Sequence, residues 1–259
     1  MICPGCGRRT VAAVAKSLRM RQGARPQAAG PVAISICGGG VIVSTFYNED
    51  CMEGMKRYPD KFFDLAIVDP PYGIGINSSG RVGHYGGKGK KWDEQPPNEQ
   101  YFTELLRVSK NQIIWGGNYF DLPPTRCFLI WDKKQPPGVS FASCEFAWTS
   151  FDASAKTFYM SPINIDEGRT HPTQKPIALY SWLLQNYAKQ GDKILDTHVG
   201  SASSLIACHR LGFEYVGFEI DADYYRMASE RLEKAKSQQT IFDLPTEQIE
   251  KQTLFDVCK

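Results

Sequence analysis

The 259-residue sequence predicts an α/β fold with a doubly wound, mostly parallel sheet of seven strands. Short runs rich in β-branched and aromatic residues alternate along the chain with segments in which apolar residues recur at helical spacing. The hydrophobic and charged fractions, 42% and 22%, are those of an ordinary globular domain with a full core. The alternation implies a sheet whose strands are joined by helices that cover it.

Seven short apolar runs are predicted strands, and four periodic segments between them are predicted helices. The strands cover residues 41–47, 65–68, 112–115, 127–131, 145–149, 194–195 and 215–218. The helices cover residues 99–108, 176–189, 203–211 and 222–236. Gly212 is placed to end the third helix as a C-cap. Asp221 is placed to begin the fourth as an N-cap, with the acid-rich opening that the helix dipole favours.

The remaining segments divide the chain into a folded domain, two long loops and two flanking pieces. Residues 1–31 are rich in Ala, Arg, Gly and Gln, and we expect them to form a basic, flexible arm outside a domain at 32–239. Residues 240–259 form a C-terminal tail. The polar, irregular segments 74–97 and 152–170 are longer than ordinary connections, so we expect both to be functional loops, the first of them mobile and basic.

Charge and cysteine usage limit the partners and the compartment. The net charge is +2, but the first 48 residues carry six bases and no acid, which indicates either a polyanionic partner or a disordered leader.

The eight cysteines are scattered in a chain too large to need disulfides, so we expect a reduced, cytoplasmic protein. Cys3 and Cys6 have the spacing of half a zinc ribbon, but the second half is missing and no metal site is expected. No apolar stretch approaches the roughly 18 residues of a membrane span.

The first chemical motif ends a predicted strand. The apolar run 65–68 continues directly into Asp69-Pro70-Pro71-Tyr72, and the prolines stop the strand because they cannot continue its ladder. A carboxylate, outward-pointing carbonyls and an aromatic ring then lie at the carboxyl end of a strand, where open α/β sheets bind ligands. This set suits the exocyclic amine of a planar base. Asp69 and the Pro70 carbonyl accept its N–H groups, and Tyr72 offers a stacking face.

The second motif joins a strand to a helix through small residues. Asp196 ends the strand, and the turn that follows contains His198, Gly200 and Ser201. Such a turn lets a ligand approach backbone N–H groups at the positive end of a helix. Glu219, twenty-three residues after Asp196, ends the next strand at the spacing at which a βαβ unit places a carboxylate on ribose hydroxyls. Together these features imply a nucleoside cofactor.

The two motifs resemble those of the DNA amino-methyltransferases that use S-adenosylmethionine. Within that family they resemble the permuted group, in which Asp-Pro-Pro-Tyr precedes the cofactor motif, and the resemblance extends from about residue 47 to residue 236. It implies a Rossmann-like methyltransferase fold with circularly permuted motif order, S-adenosylmethionine as cofactor and double-stranded DNA as partner. It further implies methylation of the N6 amino group of adenine after base flipping, in a restriction–modification setting.

The resemblance also assigns residues to roles. The catalytic residues that it implies are Asp69, Pro70, Pro71 and Tyr72. The cofactor-binding residues that it implies are Asp50, Asp69, Thr173, Lys175, Asp196, His198, Gly200, Ser201 and Glu219. Asp50 lies in a turn that resembles the one beside the cofactor's adenine, and Thr173 and Lys175 lie in a segment that resembles the one closing over its methionine part. His198 and Ala202 stand where the family usually has Phe and Gly, which leaves His198 open between packing and cofactor contact.

Interaction with DNA is assigned to segments outside the two motifs. The residues expected on the displaced strands are Arg81, Lys88, Lys90 and Lys91. Residues 152–170 occupy the family's target-recognition position, and so short a segment predicts a short recognition sequence or help from the arm.

In the tail 240–259, glutamines precede aliphatic–aromatic pairs as in peptides that dock on the sliding clamp, although the same residues can instead pack on the body. The expected oligomeric state is a monomer or a homodimer.

Three alternative functions remain open from the sequence. Cytosine N4 methylation uses the same amine chemistry, and Asp69 in place of Ser before Pro-Pro-Tyr favours adenine over it by resemblance. RNA and protein-glutamine methyltransferases carry a similar Pro-Pro-Tyr, but there the cofactor motif ordinarily comes first. An inactive DNA-binding module is the third, and the intact Asp69 and Glu219 argue against it.

Overall fold

The computed structural model describes residues 32–37, 40–75, 93–136, 138, 142–162 and 174–238. Over these ranges one sheet carries helices on both faces. Its strands are β1 (Val32–Cys37), β2 (Gly40–Tyr47), β3 (Phe63–Val68), β4 (Ser109–Trp115), β5 (Leu129–Asp132), β6 (Cys144–Thr149), β7 (Lys156–Tyr159), β8 (Lys193–Asp196) and β9 (Glu214–Phe218). The helices are α1 (Cys51–Met55), α2 (Glu99–Val108), α3 (Ile177–Tyr187), α4 (Ser203–Arg210) and α5 (Ala222–Ser237), and a short 3-10 helix spans Gly117–Tyr119.

The sheet has nine strands in the order β1-β2-β9-β8-β3-β4-β6-β5-β7. The central strands β2, β9, β8, β3 and β4 are parallel, while β6 runs antiparallel to both of its neighbours and β1 pairs antiparallel with β2. The predicted doubly wound, mostly parallel α/β fold is therefore confirmed, and all seven predicted strands are present.

The strand count and one loop were predicted wrongly. β1 forms a hairpin with β2 in which Cys37 lies opposite Gly40, and β7 pairs in parallel with β5. β7 lies within 152–170, which the sequence predicts to be irregular throughout. The error has a local cause, since the four-residue strand Lys156–Tyr159 is too short to show a period of two and takes its pairing from β5.

The sheet changes winding direction between its two central strands. β3 and β8 are parallel neighbours, with Leu65 opposite Ile194 and Ala66 opposite Leu195. From β8 the chain passes through α4 to β9 on one side, whereas from β3 it passes through α2 to β4 on the other. A crevice opens at such a switch point, outside the carboxyl ends of the strands. Asp69 and Asp196 both lie at this edge.

Apolar side chains fill the core on both faces of the sheet. On one face, α3, α4 and α5 contribute residues such as Leu183, Ile206 and Leu232. On the other, α1 and α2 contribute Met55 and Leu105. Burying one side chain of this size contributes about 1.5–3 kcal/mol to the stability of the fold, relative to leaving it exposed. Both layers therefore help to hold the strand ends at the switch point in place.

The helix ends follow the capping signals in the sequence. α2 has the predicted bounds. Asp221 caps α5, its side chain accepting the N–H groups of Asp223 and Tyr224. Gly212 follows α4 at φ +73°, and the N–H of Phe213 bonds back to the Cys208 carbonyl, as in a Schellman motif. The five-residue helix α1 was not predicted because it is too short to show periodicity. None of the helices in the described ranges has the length and apolar character needed to cross a membrane.

Candidate active site

The turn after β3 is held by a buried carboxylate. Asp93 is 2% exposed, and its Oδ1 accepts the N–H of Tyr72 at 2.8 Å and that of Gly73 at 3.0 Å. Its backbone carbonyl accepts the N–H of Gly75 at 3.0 Å. The prolines end the strand, and Asp93 then fixes the backbone that carries Tyr72. Sequence reasoning missed Asp93 because its partners lie about twenty residues earlier in the chain.

Tyr72 is held in one orientation by its hydroxyl group and its ring. The hydroxyl donates to Asp69 Oδ1 at 2.6 Å. The ring stacks on Tyr119, with 4.9 Å between centroids and 15° between planes. It also lies against Gly116, at φ +70°, where an added Cβ would overlap the ring. Burial, followed by the nearby charges of Asp69 and Glu145, raises the pKa of Tyr72 well above its ordinary value, so the phenol stays protonated and donates to Asp69.

Lys175 lies on the carboxylate of Asp69. Its side chain is 3% exposed, and Nζ lies 2.5 Å from Asp69 Oδ2 and 2.9 Å from Glu145 Oε2. The ammonium also lies 5.3 Å from the centroid of the Trp115 ring and 3.4 Å from the Tyr72 hydroxyl oxygen. Burial lowers the pKa of Lys175, but the charges of Asp69 and Glu145 outweigh burial and raise it overall, so the group is a cation. Two of the contacts of this lysine, those with Asp69 and Tyr72, are therefore to the Asp-Pro-Pro-Tyr motif.

Glu145 completes this group of charges and was not singled out from the sequence. It projects from β6, with Oε1 2.7 Å from Lys133 Nζ and Oε2 on Lys175. Burial raises the pKa of Glu145, but the two ammonium groups outweigh burial and lower it, so the group is ionised. We call Asp69, Glu145, Lys133 and Lys175 the charge cluster; it contains two anions and two cations.

A second set of carboxylates lies at the ends of β8 and β9. Asp196 is 3% exposed; its Oδ1 accepts the N–H of His198 at 3.0 Å, and its Oδ2 accepts the hydroxyl of Ser204. Burial raises the pKa of Asp196 to about 7; the two hydrogen bonds oppose this, and the negative charges of Asp69 and Glu219 add to it. Asp69 and Glu219 therefore lie close enough to Asp196 at this edge of the sheet to influence its ionisation.

The turn between β8 and α4 is tied to the end of β9. Gly200 has φ +54°, and its N–H donates to Glu219 Oε2 at 2.9 Å. The other oxygen of Glu219 accepts the N–H of Asp221 at 2.9 Å. Ser201 is buried, and its hydroxyl lies 3.1 Å from that of Ser203. Ala202, at the position where the family usually has Gly, has φ +63°, a conformation that glycine adopts without steric cost.

His198 is packed against an aromatic ring and is neutral. Its ring meets Tyr101 edge-on at 5.4 Å, and its Nδ1 lies 2.9 Å from the Thr197 hydroxyl, which also bonds to the Tyr101 hydroxyl at 2.6 Å. Burial lowers the pKa of His198 to about 4. These contacts fit a packing role for the ring; a contact of His198 with cofactor stays a prediction.

The remaining predicted residues divide into one near the carboxylates and several outside the described ranges. Asp50 caps α1, its Oδ1 accepting the N–H of Met52 at 2.7 Å. Asp50 and Glu219 both act on Cys51, whose pKa rises to about 12 through burial and these two charges. Outside the described residues lie Thr173, the four expected DNA-binding residues Arg81, Lys88, Lys90 and Lys91, the arm, the tail, and the pair Cys3 and Cys6. In the part of the chain that is described, no group of three His, Cys, Asp or Glu side chains is arranged to hold a metal.

Comparison with known proteins identifies the family. Residues 148–230 match the sequence model of the N6/N4 DNA methylase family. The type II methyltransferase M2.DpnII of Streptococcus pneumoniae is 40% identical in an alignment that covers 76% of this chain and 95% of that protein. M2.MboI of Moraxella bovis, also a type II methyltransferase, is 22% identical over 71% of this chain and 86% of its own length.

A solved structure shows the same fold. The cytosine-N4-specific PvuII DNA methyltransferase superposes with a TM-score of 0.51 at 11% identity, covering 80% of this chain and 90% of that one. At this identity the likeness concerns the fold alone. The 40% identity to M2.DpnII, over nearly all of that protein, shows that this chain belongs to the family of N6- and N4-specific DNA methylases.

Proposed function

We propose that this DNA methylase transfers the methyl group of S-adenosylmethionine to the N6 amino group of adenine in double-stranded DNA. The observation that carries the proposal is the carboxylate of Asp69 at the end of β3, oriented by the Tyr72 hydroxyl and close enough to Asp196 to affect its ionisation. The name of the most identical relative reported above, a type II methyltransferase, supports a restriction–modification setting.

The carboxylates at the switch point fit the cofactor that this family uses. The charges of Asp69 and Glu219 each contribute to the raised pKa of Asp196, and a cation among the three carboxylates relieves this repulsion. S-adenosylmethionine carries a sulfonium and an ammonium, so the charges are complementary. When bound, the cofactor supplies an electrophilic methyl group.

The residues proposed to hold the cofactor are those that line this edge of the sheet. Glu219 binds the ribose hydroxyls, and the turn containing Gly200 and Ser201 approaches the ligand through its backbone. The full proposed set also contains Asp50, Asp69, Asp196, His198, Thr173 and Lys175, the last two on the strength of the resemblance alone. For Lys175, the contacts with Asp69 and Glu145 favour a role at the catalytic motif.

The catalytic motif acts on the target amine. The lone pair of an exocyclic amine is delocalised into its ring, and acceptors that hold its N–H groups make it available for attack. Asp69 and the Pro70 carbonyl are these acceptors, Pro71 keeps the backbone rigid, and Tyr72 orients Asp69 through its hydroxyl. The Tyr72 and Tyr119 rings already stack on each other, and Tyr119 is 47% exposed, so the pair offers an aromatic surface for a flipped base.

The proposed contacts with DNA outside the Asp-Pro-Pro-Tyr motif rest on the sequence. Arg81, Lys88, Lys90 and Lys91 are proposed to bind phosphates of the displaced strands, and residues 152–170 to contact the recognition sequence. Docking of the tail on the sliding clamp stays a prediction.

The proposed base is tested with labelled cofactor. Purified protein is incubated with methyl-labelled S-adenosylmethionine and genomic DNA from a host that lacks its own adenine methylation, and the DNA is hydrolysed to nucleosides for chromatography. We expect the label in N6-methyldeoxyadenosine. Label in N4-methyldeoxycytidine would make the base assignment wrong, and parallel samples with RNA or protein as the acceptor would reveal a different substrate class.

A further inference from the structure

The catalytic carboxylate is already engaged on both oxygens. Asp69 Oδ1 accepts the Tyr72 hydroxyl at 2.6 Å, and Oδ2 lies 2.5 Å from the Lys175 ammonium. The ammonium is thus a nitrogen donor on the carboxylate proposed to receive the N–H groups of the target amine. A carboxylate has about four lone-pair directions, so Asp69 keeps acceptor capacity for a third donor beside these two.

The charge of Lys175 is unfavourable for the proposed reaction. The amine nitrogen gains positive charge as its bond to the methyl group forms, because it donates its lone pair to a cationic methyl donor. An ammonium on the same carboxylate repels that charge. In a site shielded from water this repulsion is stronger than in bulk solvent. A nearby anion is therefore needed to offset Lys175.

Glu145 is that anion. It comes from β6, whereas Asp69 follows β3, and its Oε2 lies 2.9 Å from Lys175 Nζ. Its other oxygen is held by Lys133 at 2.7 Å, which fixes the carboxylate in place. The charge cluster therefore sums to zero. Loss of Glu145 alone would leave one excess positive charge beside the reacting nitrogen.

We propose that Glu145 is a positioning residue for methyl transfer, which acts by holding Lys175 and balancing its charge at Asp69. This inference rests on the proposed role of Asp69 as the acceptor of the target amine. It assigns a reaction role to a residue outside the Asp-Pro-Pro-Tyr motif and outside the cofactor turn. It also assigns Lys175 to the catalytic carboxylate. The resemblance alone, by contrast, implies that Lys175 contacts the cofactor.

The first test removes the charge and keeps the shape. Glu145→Gln is expected to lower the single-turnover rate of DNA methylation, at saturating cofactor and DNA, by tenfold or more, on the order of what one unbalanced charge costs. Glu104→Gln is the matched control, since Glu104 is 18% exposed against 21% for Glu145 and pairs with Arg107 on α2. The control should retain the wild-type rate. An unchanged rate in Glu145→Gln would overturn the proposal.

The pH dependence of the methylation rate distinguishes a loss of charge balance from a loss of folded protein. The groups that contact Lys175 directly are Asp69 after β3, Tyr72 from the same turn, Glu145 from β6 and the Trp115 ring from β4. Two further titratable groups act through Asp69 and Glu145, namely Tyr180 from α3 and Lys133 after β5. Without Glu145, fewer anions stabilise the ammonium, so the pKa of Lys175 falls and the amine becomes neutral at a lower pH. The rate of Glu145→Gln should therefore recover as pH rises, relative to wild type. A constant ratio across pH would contradict the proposal.

A double-mutant cycle tests whether Glu145 acts through Lys175. In the Lys175→Met background there is no ammonium for Glu145 to hold, so adding Glu145→Gln should lower the rate by a clearly smaller factor than it does in the wild type. A tenfold further loss in that background would overturn the proposal. The comparison of Lys175→Met with the double variant does not require the Glu145→Gln single variant to fold. The coupling is measured on whichever amine is methylated, so a cytosine product would refute the proposed base without affecting this result.

Discussion

At the scale of single residues, Asp196 has the ionisation expected of a site that receives a cation. Its carboxyl group is buried, and its pKa of about 7 also reflects the charges of Asp69 and Glu219. A bound cation stabilises the ionised form, so binding lowers the pKa and releases a proton when it occurs at or below pH 7. Cofactor affinity must then rise with pH through this range.

We predict that the Kd for S-adenosylmethionine falls about tenfold between pH 6 and pH 8. Over that interval the ionised fraction of a group with a pKa near 7 rises from about a tenth to about nine tenths. Isothermal titration calorimetry measures both the affinity and the protons released. Asp196→Asn should remove most of this pH dependence, and a wild-type affinity that does not change with pH would contradict the prediction.

Glu219 supports the second residue-scale prediction. Its carboxylate holds the N–H groups of Gly200 and Asp221, and the proposed ribose contact adds to these. Glu219→Ala should weaken cofactor binding by about 1.5–3 kcal/mol, the usual loss for hydrogen bonds to a charged group. Calorimetry on the folded variant checks this, and an unchanged affinity would place the ribose elsewhere.

The residues that were predictable from the sequence are those with a local signal. Asp69, Asp196 and Glu219 each follow or end an apolar strand run, and the edge of a parallel sheet brings such residues together. Glu145 and Asp93 carry no such signal. Glu145 precedes Lys175 by thirty residues and belongs to an antiparallel strand, so its contact depends on the sheet order, which the sequence does not show.

At the scale of elements, the turn after β4 shapes the position of Tyr72. Gly116 has φ +70° and lies against the Tyr72 ring, so two independent constraints require glycine there. Gly191 provides a contrast, because it has φ +93° but nothing within 4 Å of an added Cβ. Comparing the same substitution at Gly116 and at Gly191 therefore distinguishes the effect of backbone strain from the effect of displacing the Tyr72 ring.

We predict that Gly116→Ala lowers the methylation rate tenfold or more and destabilises the protein by more than Gly191→Ala does. The control carries only the left-handed strain, about 1–2 kcal/mol, whereas Gly116→Ala adds an overlap with the ring that costs about 1–3 kcal/mol. Thermal denaturation and the single-turnover rate are measured for both variants. Equal effects on stability and rate would show that Gly116 is needed for its backbone conformation alone.

Element prediction succeeded where pattern and length were both sufficient. The ten residues of α2 show an apolar face and a capping Asn98, and its bounds were found to the residue. The short helix α1 and the edge strand β7 were missed because five and four residues give no measurable period. β7 in particular depends on pairing with β5, which is a tertiary contact.

At the scale of the whole molecule, the switch point between β3 and β8 brings the two motifs together although more than 120 residues separate them in sequence. Because β3 and β8 pair directly, the Asp-Pro-Pro-Tyr motif and the turn after Asp196 lie at neighbouring strand ends. The basic arm lies outside the described residues, and its role stays a prediction from charge.

Deletion of residues 1–30 is predicted to reduce the salt dependence of DNA binding without changing the methylated sequence. The arm carries six bases, and each phosphate contact contributes about −0.9 to the slope of log affinity against log salt. Binding titrations between low and moderate salt measure the slope for the full chain and the deletion. Identical slopes would assign the arm no part in DNA binding.

The most direct measurement for the proposed function is single-molecule sequencing of DNA from a methylation-deficient host that expresses either the wild type or Asp69→Ala. We predict N6-methyladenine at one recurring short sequence with the wild type. In Asp69→Ala the modified fraction should be strongly reduced, because loss of a preorganised acceptor commonly costs about 10²–10³ in rate, while calorimetry shows that the cofactor still binds. N4-methylcytosine in the wild type, or undiminished N6-methyladenine in the variant, would contradict the assignment of Asp69 as the acceptor for an adenine amine.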